Sequence, residues 1–361
     1  MEQQVMVGRV VVGVDAHKRT HTFVAVDQIG RRLAERTLAA TSEGHLQVVA
    51  WAAQWPDVTF AVEDCRHLTR RLEGDLLRAG HVVVRVPARL TAALRRGERQ
   101  PGKSDPLDAL AVAHAALREP DLPVAKLDGP AREVKLLTDH RRDLVAERTR
   151  LQCRLRWHLH ELDPSLQVPS RGLRRFCVLD QLTARLAGLD GVVARIAREL
   201  VVRCRELTAR INELERELRD LVRQLAPTLL AVPGCGVLGA AMILGETADA
   251  RRFRSKDAYA RFNGTAPIPV WSGSERQRLN RGGNRTVNTA LHMIAVTQAR
   301  GVGPGQAYLD KRIADGKTRT EALRLLRRRI SDAVFAALLI DERARAARRP
   351  EHAHDQLQQA A

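Results

Sequence analysis

Aromatic residues are scarce in this chain of 361 residues, and long apolar runs are missing. Phe, Trp and Tyr make up 3% of the sequence, so a binding surface built mainly on aromatic stacking is not expected. No apolar run approaches the roughly 18 residues of a membrane span. The first residues, Met1-Glu2-Gln3-Gln4, lack the basic segment and apolar core of a signal peptide. We therefore expect a cytoplasmic protein with no membrane partner.

Cysteine is also rare, and its spacing has no pattern. The chain has five cysteines and no CxxC pair: Cys65, Cys153, Cys177, Cys204 and Cys235. Zinc sites draw on closely spaced cysteines, and disulfide frameworks on dense cysteine in short secreted chains. Neither kind of site is expected, and the composition suits a reducing cytoplasm.

Acidic residues are outnumbered by basic ones. The chain has 60 Lys and Arg against 42 Asp and Glu, a formal net charge of +18. Such an excess predicts a polyanionic partner, for which nucleic acid is the first candidate. Because aromatics are few, contacts from arginine to the phosphate backbone are favoured over base stacking. A DNA partner would place the protein at the nucleoid.

The first 125 residues alternate between strand and helix patterns. The predicted order is three strands, helix, strand, helix, strand and helix, which is the order of the ribonuclease H fold with its mixed sheet and helices on both faces. The predicted strands are 9–14, 21–26, 33–38, 58–62 and 81–86, and the predicted helices are 42–54, 68–79 and one that begins at 105.

Acidic residues stand where these predicted strands end and where the last helix begins. Asp15 and Glu63 close apolar strands, whereas Asp105 and Asp108 open the helix and share one of its faces. A carboxylate at the end of a buried strand is rigid and poorly solvated, so converging carboxylates predict a magnesium site for phosphate chemistry. The helix dipole alone also favours acids in a first helical turn, which is the alternative for Asp105 and Asp108.

The strings GVDAHK (13–18) and GKSDPLDA (102–109), together with Glu63, resemble the RuvC-like N-terminal domain of DEDD transposases of the insertion-sequence-110 family. The resemblance implies a metal site of four acids, which map onto Asp15, Glu63, Asp105 and Asp108. A Thr-Gly turn is expected after Glu63, but this chain has Asp64-Cys65-Arg66, so Asp64 competes for that role. The strand register favours Glu63.

Basic and histidine residues near these acids are secondary candidates. Lys18 could meet a scissile phosphate, and Lys103 is a second candidate for nucleic-acid binding. His17 falls in the turn before the second strand and His21 within that strand. Both are expected to be surface or edge residues rather than metal ligands.

Residues 126–225 read as a helical connector. A charged helix is expected over 133–162, and its basic side is interpreted as either a solvated or a nucleic-acid face. A second helix over 192–224 carries apolar residues spaced by threes and fours, which predicts a coiled-coil seam that pairs within the chain or between chains. The resemblance favours self-association as a dimer or tetramer. The seam residues are Ile196, Leu200, Cys204, Leu207, Ile211, Leu214, Leu218, Leu221 and Leu225.

Residues 226–345 are expected to form a mainly helical C-terminal domain, followed by a disordered tail at 346–361. The string LAVPGCGVLGA (230–240) resembles the hairpin of a helix-hairpin-helix motif. In such a hairpin, Gly234 and Gly236 would let backbone amides approach a phosphate. A Pro-Gly-x-Gly hairpin between helices is a moderate signal in a basic protein.

An arginine-rich segment at 251–285 contains nine Lys and Arg residues and only two acidic residues. It resembles the C-terminal domain of the same transposase family through NGTAP (263–267), Ser272-Gly273 and RGGNR (281–285). The resemblance implies that Ser272 is a nucleophile, with Ser274 as runner-up, although a serine before glycine is ordinarily turn chemistry. Where the family often has Arg-Gly-Asn, this chain has GGN (282–284), so one phosphate-binding arginine is missing. The expected nucleic-acid contacts are Arg276, Arg278, Arg281, Asn284 and Arg285.

Together these expectations describe a transposase or recombinase that cuts and rejoins donor and target DNA through Ser272. Because a serine hydroxyl needs activation, the Mg2+-binding carboxylates are expected to assist it. The resemblance alone implies a guide RNA encoded by the element. Two alternatives remain open: a RuvC-like nuclease that uses metal-activated water, and an inactive nucleic-acid-binding relic.

Overall fold

The structure is a computed structural model that describes residues 8–95, 104–272, 274–278, 280 and 282–358. The chain divides into two compact units, Met1–Asp128 and Gly129–Ala361. Within the described residues, no helix combines the length and apolar character of a membrane span.

The first unit is built on a five-stranded mixed sheet with strand order β3-β2-β1-β4-β5. Strands β1 to β3 are antiparallel neighbours, whereas β1, β4 and β5 run parallel. The strands are Val10–Ala16 (β1), Thr20–Val26 (β2), Arg32–Ala39 (β3), Val58–Glu63 (β4) and Val82–Val86 (β5), and the helices are Ser42–Ala52 (α1), Arg66–Arg78 (α2), Ala88–Arg95 (α3) and Asp105–Arg118 (α4). This confirms the predicted RuvC-like order. Helix α3 is an addition that the sequence interpretation did not contain.

The two faces of the sheet carry different helices because side chains alternate along each strand. Val10, Val12 and Val14 lie on the face that is covered by α1 and α2. Val11 packs on the opposite face with residues of α4. By the same alternation, the last residues of β1 and β4 that share the parity of Val11 and Ala61 point towards α4. These are Asp15 and Glu63.

Helix α4 lies unusually close to β1 at Gly13. A Cβ atom on Gly13 would lie 2.0 Å from the carbonyl oxygen of Ala109 and 2.6 Å from the backbone nitrogen of Ala113. Only glycine leaves room for this approach, and the small buried side chains of Ala109 and Ala113 complete it. The first turn of α4 is thereby held against the sheet beside the end of β1.

The second unit is mainly helical, as predicted, with a hairpin of two strands. Its helices are Ala131–Leu162 (α5), Phe176–Ala187 (α6), Val192–Leu225 (α7), Pro227–Leu230 (α8), Val237–Thr247 (α9), Lys256–Phe262 (α10), Arg285–Gln298 (α11), Gly305–Ala314 (α12) and Arg319–Gln358 (α13), and its strands are Ile268–Ser272 (β6) and Ser274–Arg278 (β7). The expected disordered tail at 346–361 begins inside α13, which the structure continues to Gln358.

The coiled-coil seam of α7 is paired within the chain. Helices α5 and α7 run antiparallel, joined by ion pairs from Arg141 to Glu215 (2.8 Å) and from Arg203 to Glu147 (3.0 Å). The middle of the predicted seam, from Leu200 to Leu218, is buried. Of the two alternatives left by the sequence, this seam therefore pairs inside one chain. Arg141, on the basic side of α5, is engaged in one of these ion pairs.

Replacement of Gly13 by Ala should destabilise the first unit by about 3 kcal/mol, because the added methyl group overlaps backbone atoms of α4 that cannot rotate away. Hydrogen exchange in β1 and α4 measures this loss. Gly74→Ala is the matched control: its Cβ would meet the flexible end of Arg78 at 3.3 Å. It should be neutral or stabilising by up to about 1 kcal/mol, since alanine favours a helix interior. Equal exchange in both variants would contradict the close-packing argument.

Candidate active site

Asp15 is the central acid of the first unit. It is the sixth residue of β1, and 13% of its side chain is exposed. Burial raises the pKa of the Asp15 carboxyl above its ordinary value of 3.8, and the His17 imidazole offsets part of this rise. The carboxylates of Asp108 and Asp105 raise the pKa further. Negative charge is thus concentrated around a poorly solvated carboxylate.

Glu63 lies beside Asp15 on the neighbouring strand. The parallel register pairs Val14 with Val62, so the next residues, Asp15 and Glu63, lie side by side near the same edge of the sheet. Thr91 in α3 donates a hydrogen bond to Glu63 Oε1 at 3.0 Å. Asp64, the competing acid, is exposed and follows the strand, where its backbone N–H donates to Val86. The alternation of side chains therefore favours Glu63 for the α4 face.

The Cys65 thiol reports the same concentration of charge. Burial raises the pKa of this thiol to about 11, and the carboxylates of Glu63, Asp15 and Asp64 add to the rise. A thiol with so high a pKa stays protonated at neutral pH and is a poor nucleophile. Cys65 therefore marks the acidic surroundings rather than a reactive group.

Asp105 and Asp108 reach the site from the first turn of α4. The helix begins at Asp105 after the N-cap residue Ser104, with Pro106 suited to the first turn. Asp108 is buried, whereas about half of the Asp105 side chain is exposed. The close packing at Gly13 holds this turn against the end of β1. The acids that the sequence separates by some 90 residues therefore act on one another.

His17 lies between two of these acids. Its Nε2 atom is 3.0 Å from Asp15 Oδ2 and 3.4 Å from Asp105 Oδ1. The sequence interpretation placed His17 at the surface, where its side chain is indeed 49% exposed, and the structure adds that His17 contacts two acids of the site. The cause is the tight turn between β1 and β2, in which the His17 N–H donates to the Thr20 carbonyl. The short spacing between two apolar strands is the sequence signal that could have revealed it.

The residues of this site fit a divalent cation. Among the described residues, Asp15, His17 and Asp105 offer ligand atoms that lie within 4.8 Å of one another. Carboxylate oxygens are the ligands of Mg2+, whereas an imidazole also suits transition metals. Burial raises the pKa of Asp15, and repulsion from Asp108 and Asp105 adds to the rise, so a bound cation would stabilise the charged carboxylate.

Other candidates of the first unit stand apart from the acids. Lys18 is exposed in the turn after His17. Lys103 lies outside the described residues. His21 was expected at the surface or an edge, which is wrong: it is 2% exposed on β2, which lies between β3 and β1, and it stacks on His45. Burial lowers the pKa of His21 to about 4.

Ser272 is at the tip of the β6–β7 hairpin. The register runs from Ile268 opposite Arg278 to Ser272 opposite Ser274. The serine that was expected in a loop is therefore the last residue of a strand. Gly273 and Arg281 lie outside the described residues. For Ser272, Ser274 and Arg276 the structure describes the backbone alone, and Arg278 is exposed at the base of the hairpin.

Asn284 and Arg285 begin helix α11 after the hairpin. The Asn284 Oδ1 atom accepts from the Val287 N–H at 3.0 Å, and its Nδ2 donates to Glu246 at 2.8 Å. The Asn284 side chain is therefore already engaged as a helix cap, which limits its availability to a nucleic acid. Arg285 is exposed.

The glycines between α8 and α9 have separate structural roles. Gly234 has φ +79°, and a Cβ there would lie 3.2 Å from the carbonyl oxygen of Ile294 in α11. Gly236 is the N-cap of α9, and a Cβ there would meet nothing within 4 Å. Gly234 is thus required by the turn, while Gly236 leaves an open approach to the start of α9.

Two family models match this chain. A model of DEDD transposases of IS110 type, described as Transposase, matches residues 12–164. A second, described as Transposase IS116/IS110/IS902 family, matches residues 226–309. The first match includes all four acids of the N-terminal site, and the second includes the β6–β7 hairpin.

Similar proteins come from other insertion elements. The uncharacterized 44.8 kDa protein of IS116 from Streptomyces clavuligerus is 27% identical, covering 91% of this chain and 94% of the relative. The uncharacterized 43.6 kDa protein of IS110 from Streptomyces coelicolor is 28% identical, covering 92% and 94%. Among solved structures, RuvC of Thermus thermophilus is 17% identical with a TM-score of 0.26, covering 32% of this chain and 99% of RuvC.

Replacement of Asp15 by Asn should stabilise the metal-free protein at pH 7. Because the folded pKa lies above the ordinary 3.8, Asp15 contributes stability that is full below pH 3.8 and lost as pH rises through the folded pKa. Urea unfolding of both proteins at several pH values measures this effect. Wild type should regain stability with a divalent cation, by about 2.7 kcal/mol at 100 times Kd.

The control is Asp121→Asn, an exposed acid of the same unit. It should leave both the stability at pH 7 and the response to cations unchanged. Equal cation responses of wild type and Asp15→Asn would contradict the assignment of Asp15 to a metal site.

Proposed function

The chain belongs to the IS110 family of transposases, enzymes that cut and rejoin DNA, and from this premise we propose how its residues carry out the reaction. The proposed nucleophile is Ser272. The proposed metal site holds Mg2+ on carboxylates that end two strands and open one helix. The observation that carries the proposal is the convergence of these acids around Asp15.

The metal site is proposed to comprise Asp15, Glu63, Asp105 and Asp108. Three facts support it: Asp15 and Glu63 lie on neighbouring parallel strands near the same edge of the sheet, α4 is held against β1 at Gly13, and Asp108 and Asp105 add to the rise that burial causes in the pKa of Asp15. A bound Mg2+ would supply charge stabilisation at the reacting phosphate and favour deprotonation of an attacking hydroxyl. His17 would have to give up its contacts with the carboxylates or share the cation with them.

Ser272 is proposed to act by transesterification. Its Oγ forms a bond to phosphorus while the bond from phosphorus to one DNA oxygen breaks, and the released DNA hydroxyl takes up the proton that the serine lost. Attack by a hydroxyl of the new DNA partner then forms the new phosphodiester and returns the serine. The number of phosphodiester bonds is conserved, so no external energy source is needed.

Binding of nucleic acid is proposed to rest on phosphate contacts. The net charge of +18 supports this, as do Lys18, exposed in the turn after His17, and Arg278 and Arg285, exposed after the hairpin tip. Both donor and target DNA are proposed partners. A guide RNA encoded by the element and a dimeric or tetrameric state are inferences from the family resemblance.

A second candidate is a nuclease that uses metal-activated water, with Ser272 only a turn residue. The site of the first unit favours it, because carboxylates that hold divalent cations suffice for hydrolysis of a phosphodiester. The two mechanisms differ in one intermediate. The serine mechanism passes through a protein-DNA ester, whereas hydrolysis by water does not.

Asp15→Asn and Asp105→Asn should each abolish Mg2+-dependent strand cleavage while DNA binding is kept, since loss of a negative charge cannot weaken attraction to phosphate. Cleavage of a labelled duplex and its equilibrium binding are measured in parallel. Asp121→Asn serves as the control and should cleave normally. Unchanged cleavage in both site variants would remove these acids from the mechanism.

Wild type should form a covalent adduct with DNA that survives denaturation and maps by peptide mass spectrometry to the hairpin tip. Ser272→Ala should lose both the adduct and recombination, because the proposed ester forms on the Ser272 hydroxyl that this change removes. Ser274→Ala is the matched control, one residue beyond Gly273, and should keep both activities. Normal cleavage by Ser272→Ala with no adduct would falsify the serine mechanism and favour activated water.

A further inference from the structure

An open cavity of about 300 Å3 lies in the second unit where the loop after α10, the segment after β7, α11 and α13 meet. Its floor is backbone: a Cβ on Gly283 would lie 2.3 Å from the nitrogen of Gly264, which itself has φ +75°. Asn288 ties the wall together by donating to the Asn263 carbonyl at 2.8 Å. The described loops around the cavity are therefore closely packed on one another.

Arg327 of α13 lines this cavity, and not all of its guanidinium donors have an acceptor among the described residues. Its Nη1 donates to Asn288 Oδ1 at 3.1 Å, while its Nε is buried and has no hydrogen-bond partner among the described residues. Burial lowers the pKa of Arg327, and nearby Arg324 lowers it further. A buried donor without an acceptor costs free energy. Because Arg327 lines the cavity, an anion there would meet its charged guanidinium.

Arg328, the next residue of α13, differs from Arg327 in having acidic partners. Arg328 is neutralised by Asp257 at 2.5 Å and by Asp332. Arg327 has no such carboxylate: the described residues that line the cavity include Arg285, Asn280 and Thr289 but neither Asp nor Glu. Two arginines and several amides around an open space without acids form a site for an anion. Helix α11 adds its N-terminus to the same wall.

The position of the cavity indicates which anion it receives. Gly264 and Asn280, both in its lining, flank the β6–β7 hairpin in sequence, so the cavity lies at the base of the hairpin whose tip is Ser272. The five residues from Ile268 to Ser272 span about 13 Å. A nucleic acid bound at the hairpin tip would therefore extend past the base of the hairpin, so the anion expected in the cavity is one of its backbone phosphates.

We propose that Arg327 and Arg285 bind a backbone phosphate of a nucleic acid in this cavity, at the base of the hairpin that carries Ser272. The proposal rests on the proposed function in that the ligand is nucleic acid. It does not require Ser272 to be a nucleophile. DNA and RNA present the same phosphodiester oxygens, and separate binding measurements identify which of them supplies the phosphate.

The test is equilibrium binding of the full-length chain to a 30-bp duplex DNA and, separately, to an RNA stem of the same length, from low to moderate KCl. Arg327→Gln should weaken binding about tenfold, as expected for loss of a charged hydrogen bond. The slope of log affinity against log salt should fall by about 0.9 for the duplex, the contribution of one phosphate. Loss on one arm alone assigns the phosphate to that nucleic acid.

Arg343→Gln is the matched control, since Arg343 is exposed on the same helix and carries the same charge. It should change neither the affinity nor the slope by a comparable amount. Arg327→Lys keeps the charge but loses the fork, so it should retain most of the salt slope and lose several-fold in affinity. Equal effects of Arg327→Gln and Arg343→Gln on both arms would overturn the proposal.

A measurement on wild type covers the case in which Arg327→Gln does not fold. The Nε–H resonance of Arg327, assigned by its absence in Arg327→Lys, should shift on titration with inorganic phosphate and with the duplex. No shift with either probe would also overturn the proposal. The adduct assay at Ser272 is independent: weakened binding by Arg327→Gln with no adduct in wild type would retain the phosphate site and remove the serine mechanism.

Discussion

The packing of α4 on β1 at Gly13 is the constraint on which the acidic site depends. The sheet places Asp15 and Glu63 side by side, but Asp105 and Asp108 belong to a helix that a single methyl group on Gly13 would push away. Backbone contact is stiffer than side-chain contact because interiors are close-packed and backbone atoms have no rotamers to adjust. The position of the acids is therefore set by the absence of a side chain.

The same packing has an electrostatic cost. Burial raises the pKa of Asp15, and the approach of Asp108 and Asp105 raises it further, which opposes folding at neutral pH. His17 lies between Asp15 and Asp105 and offsets part of this repulsion. A divalent cation at the proposed metal site would relieve the repulsion, and this relief would add to its affinity.

Local patterns in the sequence predicted the parts of the fold that depend on local rules. Strand alternation predicted which residue closes β4 and favoured Glu63 over Asp64, and spacing by threes and fours predicted the apolar seam of α7. Long-range facts were beyond such rules. Nothing in the seam states that α5 rather than a second chain covers it, and His17 enters the site through a turn whose geometry the residue types do not specify. Helix α3, which holds Glu63 through Thr91, was missed because its pattern is short.

The net charge can be counted from the sequence, but the sequence does not show which individual arginines are free to bind a partner. The excess of 18 positive charges predicts a polyanionic partner, but it does not say which arginines are available to it. Arg141 forms an ion pair with Glu215 between α5 and α7, and Arg328 forms ion pairs with Asp257 and Asp332. Arg327, one residue away on the same helix, has a buried Nε without an acceptor among the described residues. Neighbouring arginines with identical sequence signatures thus differ in what they can bind, and three-dimensional pairing decides which of them meets a phosphate.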